Sequence, residues 1–194
     1  MPKIVDKDAV RLQIIHAFQR LSDTRPLTAI SLREIAAEAG MSHTSVLRYF
    51  HDKTALQLAC ARYASGCLKQ TVSEWFAAHP RSTFESDRAY LDAFLAAVLL
   101  QKDNGVKPRD VVMTCALGAY SAELHAAIQK EYHSLGESMT RTLASQLGRP
   151  LSEMESYTLL ILFSGIYFAG FNEIVPEEHC SPISGILSML EIEE

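Results

Sequence analysis

The feature that most constrains this chain is the spacing of small, apolar and glycine residues between positions 31 and 50. A helix-turn-helix needs a small residue where its helices cross, a glycine in the turn and apolar residues that hold the helices together. Ala36 is the small residue, and Gly40 follows it four positions later. The apolar positions are occupied by Ile35, Met41, Val46 and Tyr49. These matches in one register predict a helix-turn-helix.

Polar residues at the predicted helix ends support the same interpretation. Ser31 and Glu34 have the spacing of a capping box, in which each side chain bonds the backbone N–H of the other residue. Gly40 can adopt the left-handed conformation that ends a helix, and Ser42 can cap the helix that follows. The sequence therefore predicts helices over residues 31–38 and 42–49.

The second of these helices has a face that suits a major groove. If Val46, Tyr49 and Phe50 provide the inward contacts, polar side chains and one leucine lie opposite. Arginine can pair with guanine, hydroxyls can bond bases or phosphates, and methyl groups can contact thymine. Lys53 and the N–H groups at the next helix start suit a phosphate. The candidate DNA-binding residues are Ser31, Arg33, Ser42, His43, Thr44, Ser45, Leu47, Arg48, Tyr49 and Lys53.

The charge distribution also favours the N-terminal segment as the part that meets a polyanion. The chain has a formal net charge of -5. Residues 1–55 nevertheless hold eight Lys/Arg against six Asp/Glu, whereas the remainder holds ten against seventeen. An acidic surface repels nucleic acid, so we expect DNA contacts only near the N-terminus.

Helical periodicity extends over the whole chain, and runs that alternate apolar and polar residues as strands do are missing. Proline and glycine separate nine predicted helices, over about 7–22, 31–38, 42–49, 52–78, 84–102, 108–121, 124–147, 152–172 and 182–191. We therefore expect an all-α fold, with a three-helix DNA-binding domain over 1–52 and a second helical domain over 53–194.

The stretch SLREIAAEAGMSHTSVLRYFHDKTAL, residues 31–56, resembles the TetR family of bacterial repressors. It is similar to that family's T-x-x-x-IA-x-x-AGVS-x-x-x-LY-x-YF-x-x-K-x-x-L signature. The matching residues are Ile35, Ala36, Ala39, Gly40, Ser42, Tyr49, Phe50, Lys53 and Leu56. One position departs from the pattern: Leu47 stands where the family usually has a tyrosine that touches phosphate.

The resemblance implies a function for both domains. The C-terminal domain would bind a small molecule and dimerise through its last two long helices. Binding of the effector would change the distance between the two DNA-binding heads and release an operator, which a symmetric dimer would read as an inverted repeat. The release follows from linkage if the ligand prefers a spacing that does not fit successive major grooves.

Two segments near the C-terminus are the candidate dimer interface. Residues 157–171 are apolar on all sides, which predicts a helix buried on all sides, and Ser181-Pro182 starts a further apolar helix. We expect 152–172 and 182–191 to pack against their symmetry mates. Burial inside one chain, with no dimer, is the alternative. The candidate interface residues are Ile161, Ser164, Gly165, Phe168, Ile183, Ile186, Leu187 and Leu190.

Aromatic residues on the central helices are candidates for an apolar effector pocket, although most such residues simply form core. The candidate ligand-binding residues are Cys67, Trp75, Tyr90, Phe94, Met113, Tyr120, Tyr167 and Phe168. Their composition suggests a partly hydrophobic effector.

Other interpretations follow from what the sequence does or does not contain. Cys60 and Cys67 lie seven residues apart, so a regulator that responds to thiol oxidation, or to a protein partner, is an alternative. An enzyme is less favoured, because phosphate-loop, nucleophile-elbow and zinc-protease motifs are missing. No metal or cofactor is expected. The sequence lacks a recognisable signal peptide, and its apolar runs are shorter than a membrane span, so we expect a cytoplasmic protein.

Overall fold

The computed structural model of the protein describes residues 6–100, 115–116 and 118–171. Its helices are α1 (Lys7–Ser22), α2 (Leu32–Glu38), α3 (His43–Tyr49), α4 (Lys53–Ala78), α5 (Asp87–Leu100), α6 (Ala122–Leu147) and α7 (Glu153–Phe171). Short 3-10 turns cover Leu27–Ala29, Arg81–Thr83 and Gly118–Tyr120. No β-strand occurs within these ranges, and the predicted all-α fold is confirmed.

The first three helices share an apolar core with the beginning of α4. Phe18 of α1, Ile35 of α2 and Val46 of α3 are at most 2% exposed and belong to one cluster. The cluster also takes Leu56, Cys60 and Ala61 from α4, and Leu124 and Ile128 from α6. The N-terminal helices are therefore docked onto two long helices.

The second core is rich in aromatic rings. Trp75 and Phe76 of α4 meet Tyr90 and Phe94 of α5, and the rings of Phe76 and Phe94 stack with centroids 4.7 Å apart. Helix α6 adds Leu135, Met139 and Leu143, and α7 adds Leu159 and Phe163. The 26-residue helices α4 and α6 contribute side chains to both cores, so a movement of either helix affects both cores. The proposed division at residues 52/53 lies at the start of α4, where Asp52 is the N-cap, and it stays a prediction.

Helices α6 and α7 approach each other closely at Gly136. A Cβ atom at this position would lie 2.6 Å from Cδ2 of Leu160, so the Leu160 side chain would have to move to admit one. Glycine therefore allows the close packing of Leu160 against α6.

The predicted helix bounds hold to within a few residues, with one visible shift. Helix α5 begins at Asp87, three residues after the predicted start at residue 84, and the Ser86 hydroxyl accepts the Ala89 N–H as a cap. Of the predicted helix 108–121, residues 115–116 are helical and 118–120 form a 3-10 turn, while 108–114 and 117 lie outside the described residues. The predicted helix 182–191 also lies outside them.

Candidate nucleic-acid interface

Helix α2 begins with the predicted capping box. The backbone N–H of Ser31 donates to Oε2 of Glu34 at 2.8 Å, and the N–H of Glu34 donates to the Ser31 hydroxyl at 3.3 Å. Arg25 adds an ion pair to Oε1 of Glu34 at 2.6 Å. The bonds from Ser31 and then Arg25 lower the pKa of Glu34 to about 2. The start of α2 is therefore held by a carboxylate that stays ionised at neutral pH.

The turn between α2 and α3 has the predicted geometry. Gly40 has φ of 68°, a left-handed conformation that disfavours other residues. The next N–H, of Met41, returns to the carbonyl of Ala36 at 2.9 Å and closes the end of α2. Ser42 caps α3 by accepting the N–H of Ser45 at 3.0 Å. The predictions of a left-handed Gly40 and of the Ser42 cap are confirmed.

Helix α3 separates a buried face from an exposed one. Val46 and Phe50 are at most 1% exposed, whereas Thr44, Leu47 and Arg48 are exposed. His43, Ser45 and Tyr49 are partly buried at the edges of this face. We call Thr44, Leu47 and Arg48 the reading face.

Side chains of α1 bond the ends of both helices of the motif. Arg11 donates from Nη1 to the carbonyl of Tyr49 at 2.9 Å, and its guanidinium carbon lies 4.4 Å from the centroid of the Phe50 ring. Gln13 donates from Nε2 to the carbonyl of Ala39 at 2.8 Å. Both bonds satisfy carbonyls at helix C-termini. The positions of α2 and α3 are thus fixed by polar contacts as well as by the core.

These α1 contacts were missed in the sequence, and so was a basic groove beside them. Lys7, Arg11 and Arg48 line an open groove between α1 and α3, together with Val10, Met41, Ser45 and Tyr49. The signal that could have found it is the i, i+4 pair of basic residues at positions 7 and 11 of α1. A groove with three cations next to the reading face suits a phosphate backbone.

The remaining DNA-binding candidates lie near the start of α2 and α4. The Ser31 hydroxyl donates to Oε2 of Glu34 at 2.7 Å, and Arg33 is exposed. Lys53 is partly buried and donates from Nζ to the carbonyl of Thr28 at 3.1 Å. Desolvation lowers the pKa of this ammonium group. Lys53 therefore anchors α4 to the preceding turn, and its contact with phosphate stays a prediction, as do the other DNA contacts.

The candidate ligand-binding residues do not form one open pocket within the described part of the chain. Trp75, Tyr90 and Phe94 are packed together in the aromatic core, with the Trp75 ring 5.3 Å from Tyr90 and 5.1 Å from Phe94. Cys67 is partly buried against this core, and Phe168 is 54% exposed on α7. Met113 and the side chains of Tyr120 and Tyr167 lie outside the described residues. Their roles in ligand binding stay predictions.

A small cavity lies between α4 and α6, where none of the candidate ligand residues is found. Its lining includes Ala61, Ser65 and Leu68 of α4 and Ile128 and Leu135 of α6. Its volume of about 20 Å³ is close to the space one water molecule needs. It is too small for an effector in this conformation.

The candidate dimer residues on α7 share an exposed face. Ile161, Ser164, Gly165 and Phe168 are all exposed, whereas 183–190 lie outside the described residues. The alternative, in which this helix is buried inside one chain, is therefore wrong for this face, and burial against a partner stays a prediction. Buried contacts occur at Leu159 and Phe163 on the other side of α7.

The cysteines do not form a disulfide along α4. Cys60 is buried and Cys67 partly buried, and seven residues of helix separate their Cα atoms by roughly 10 Å. A disulfide needs Cα atoms within about 7 Å.

In the described residues, no group of three or more His, Cys, Asp or Glu side chains could hold a metal. No helix among these residues is long and apolar enough to cross a membrane.

Comparison with known proteins finds a family whose pattern the motif matches. Residues 14–60 match the family described as bacterial regulatory proteins, tetR family. An uncharacterised HTH-type transcriptional regulator of Haemophilus influenzae is 34% identical over 73 residues. That segment is 37% of this chain and spans only 36% of the relative.

Solved structures extend the likeness to the whole fold. A Pseudomonas aeruginosa PAO1 protein, described as a candidate transcriptional regulator, superposes with a TM-score of 0.69 at 20% identity, over 97% of this chain and 93% of that one. GusR of Salmonella enterica gives 0.69 at 18% identity, over 97% and 98%. At these identities the likeness shows the fold alone.

Proposed function

We propose that this chain, whose residues 14–60 match the tetR family of bacterial regulatory proteins, is a dimeric DNA-binding regulator of transcription. We infer that it is a repressor, released from an inverted-repeat operator when a small, partly apolar molecule binds the C-terminal helices. The DNA-binding part rests on the match of residues 14–60 and on the exposed reading face, and the release step rests on the two long helices that contribute to both cores.

The observation that carries the proposal is the exposed reading face on a rigidly held α3. Thr44, Leu47 and Arg48 point away from a core that Val46 and Phe50 already fill. Arg11 fixes the C-terminal end of the same helix through the carbonyl of Tyr49. An exposed helix face of this kind can enter a major groove, while the basic groove beside it contacts phosphates.

Dimerisation is supported by the apolar stripe on α7. Its large members are Met154, Tyr157, Ile161 and Phe168, which are 74%, 51%, 71% and 54% exposed. Their spacing of three, four and seven residues places them on one side of the helix, where Ser164 and Gly165 also lie. A contiguous exposed apolar face marks an interaction surface. A second copy of the chain would bury it and bring two reading faces together.

A coupling between effector and DNA is supported by the two long helices. Helix α4 contributes Leu56 to the N-terminal core and Phe76 to the aromatic core, and α6 spans both cores in the same way. A ligand that opens the aromatic core by displacing α4 or α6 would reposition the docked N-terminal helices. DNA affinity would then fall by linkage.

The experiment that tests the proposal is selection of bound DNA from a random pool with the purified chain at physiological salt. We expect an inverted repeat whose half-sites are about 10 base pairs apart, centre to centre, or a multiple of that spacing. Failure to enrich any sequence, with folded protein, would contradict the proposal.

The matched variants for this experiment are Arg48→Ala and Arg141→Ala, which remove the same charge. Arg48→Ala should weaken operator binding by about 1–3 kcal/mol if it pairs with a base. Arg141 is exposed on α6, roughly 20 Å along the helix from Ile128, so its replacement should leave binding unchanged. Equal affinities of the two variants in a fluorescence-anisotropy titration would remove Arg48 from the reading face.

A further inference from the structure

Leu47 is an apolar side chain in an unusual place. Among the described residues, five large hydrophobic side chains are exposed, and four of them form the stripe on α7. The fifth is Leu47, which is 37% exposed near the centre of α3. It does not belong to the N-terminal core, although its neighbour Val46 does. Its apolar surface is therefore not explained by the folding of the chain.

The surroundings of Leu47 point to the kind of group it would meet. Thr44 is one turn earlier on the same face, and Arg48 follows directly. In a major groove, hydrogen-bond donors and acceptors are present at every base pair, but the apolar group is the 5-methyl of thymine. A leucine that enters the groove gains favourable apolar contact with this methyl group, whereas burial against O4, O6 or N7 would desolvate an acceptor without bonding it.

We propose that Leu47 reads the 5-methyl group of a thymine in each operator half-site. The inference rests on the proposed DNA-binding function and makes that site's specificity explicit.

Deoxyuridine is the probe that isolates the methyl group, because it keeps the base pair and the O4 acceptor. Each thymine of one half-site in the selected operator is replaced by deoxyuridine in turn, and affinity is measured by anisotropy. At one position the wild-type chain should bind about fourfold more weakly, the value expected for one buried methyl group at ~0.8 kcal/mol.

Two variants assign that loss to a residue. Leu47→Ala should weaken binding to the thymine operator and remove the difference between thymine and deoxyuridine, with an unchanged salt dependence because phosphate contacts are untouched. Thr44→Ser removes the other methyl group of the reading face and should keep the difference. Thermal unfolding of Leu47→Ala should match the wild type, because the side chain is outside the core.

Three results would overturn the inference while leaving the proposed function standing. Deoxyuridine could be tolerated at every position, the difference could persist in Leu47→Ala, or it could disappear in Thr44→Ser alone. Absence of any sequence-specific binding by the wild-type chain would instead remove the proposed function, and the inference with it.

Discussion

The N-terminal helices and the C-terminal helices bury their apolar side chains in different ways. In the first region, short helices are held by side chains that bond backbone groups at helix ends, as Ser31, Ser42, Gln13 and Arg11 do. In the second, aromatic rings are packed into a core and α7 leaves an apolar stripe exposed. The first region is complete within one chain, whereas the second presents a surface that a partner can cover.

The largest effect should come from the aromatic core. Phe94 is 1% exposed and contacts Trp75 and Phe76, so Phe94→Ala should reduce the free energy of unfolding by about 3–5 kcal/mol. Urea denaturation measures the free energy of unfolding. The control is Gln129→Ala at an exposed position, which should change this free energy by less than ~0.5 kcal/mol. Because α4 and α6 contribute to both cores, we expect the two cores to unfold together in a single urea transition. Two separate transitions would mean that the regions are independent.

The next effect concerns the stripe on α7. Gly165→Glu should raise the dimer dissociation constant at least ~30-fold, because burial of an unpaired charge costs about 2 kcal/mol or more. A side chain at Gly165 would meet nothing within 4 Å in the single chain, so the fold should persist. Gly66→Glu on α4 is the matched control, since Gly66 is equally open. Sedimentation velocity that shows an intact dimer in Gly165→Glu would refute the interface.

The same contrast explains which features the sequence could predict. The capping box at Ser31, the turn at Gly40 and the cap at Ser42 depend on residues a few positions apart, so their pattern is visible in the sequence. The bonds of Arg11 to Tyr49 and of Lys53 to Thr28 join residues 38 and 25 positions apart and needed the fold. Periodicity could not separate the two sides of α7 either, because residues 157–171 are apolar on both. Only the packing of α5 and α6 against Phe163 determines which side is left exposed.

A smaller effect is expected at two glycines with the same backbone conformation, one in each region. Gly40 and Gly148 both have φ of 68°, and a Cβ at either would meet nothing within 4 Å. Replacement by alanine should therefore cost about 1–2 kcal/mol at each from backbone strain alone. Only Gly40→Ala should also weaken operator binding, because Gly40 sets the angle between α2 and α3. If Gly148→Ala weakened DNA binding as much as Gly40→Ala does, at an equal loss of stability, the arrangement of the N-terminal helices would not be determined by residues of that region alone.

The smallest effect is expected from a pair of acidic caps that the two regions share. Glu155 bonds Ser152 at the start of α7 and pairs with Arg149 at 2.8 Å, as Glu34 does with Ser31 and Arg25. The pKa of each carboxyl is lowered to about 2, for Glu155 by Arg149 first and then Ser152. Each carboxylate therefore adds stability above its ordinary pKa of 4.5, and that stability is lost as the pH falls from 4.5 towards 2.

Glu34→Gln and Glu155→Gln test whether the two caps act on one cooperative unit. Glutamine can still bond the N-cap N–H but carries no charge to titrate, so each variant should lose less stability than the wild type on acidification. Urea midpoints at pH 7 and pH 3 measure the difference. Since the side chains of Glu34 and Glu155 are 40% and 41% exposed, each change should be small, and a single cooperative unit predicts that the two variants shift the same transition. Trp75 fluorescence reports on the aromatic core, and helical circular dichroism reports on the whole chain. If a variant shifted the urea transition in only one of these signals, α4 and α6 would not couple the reading face to the C-terminal helices.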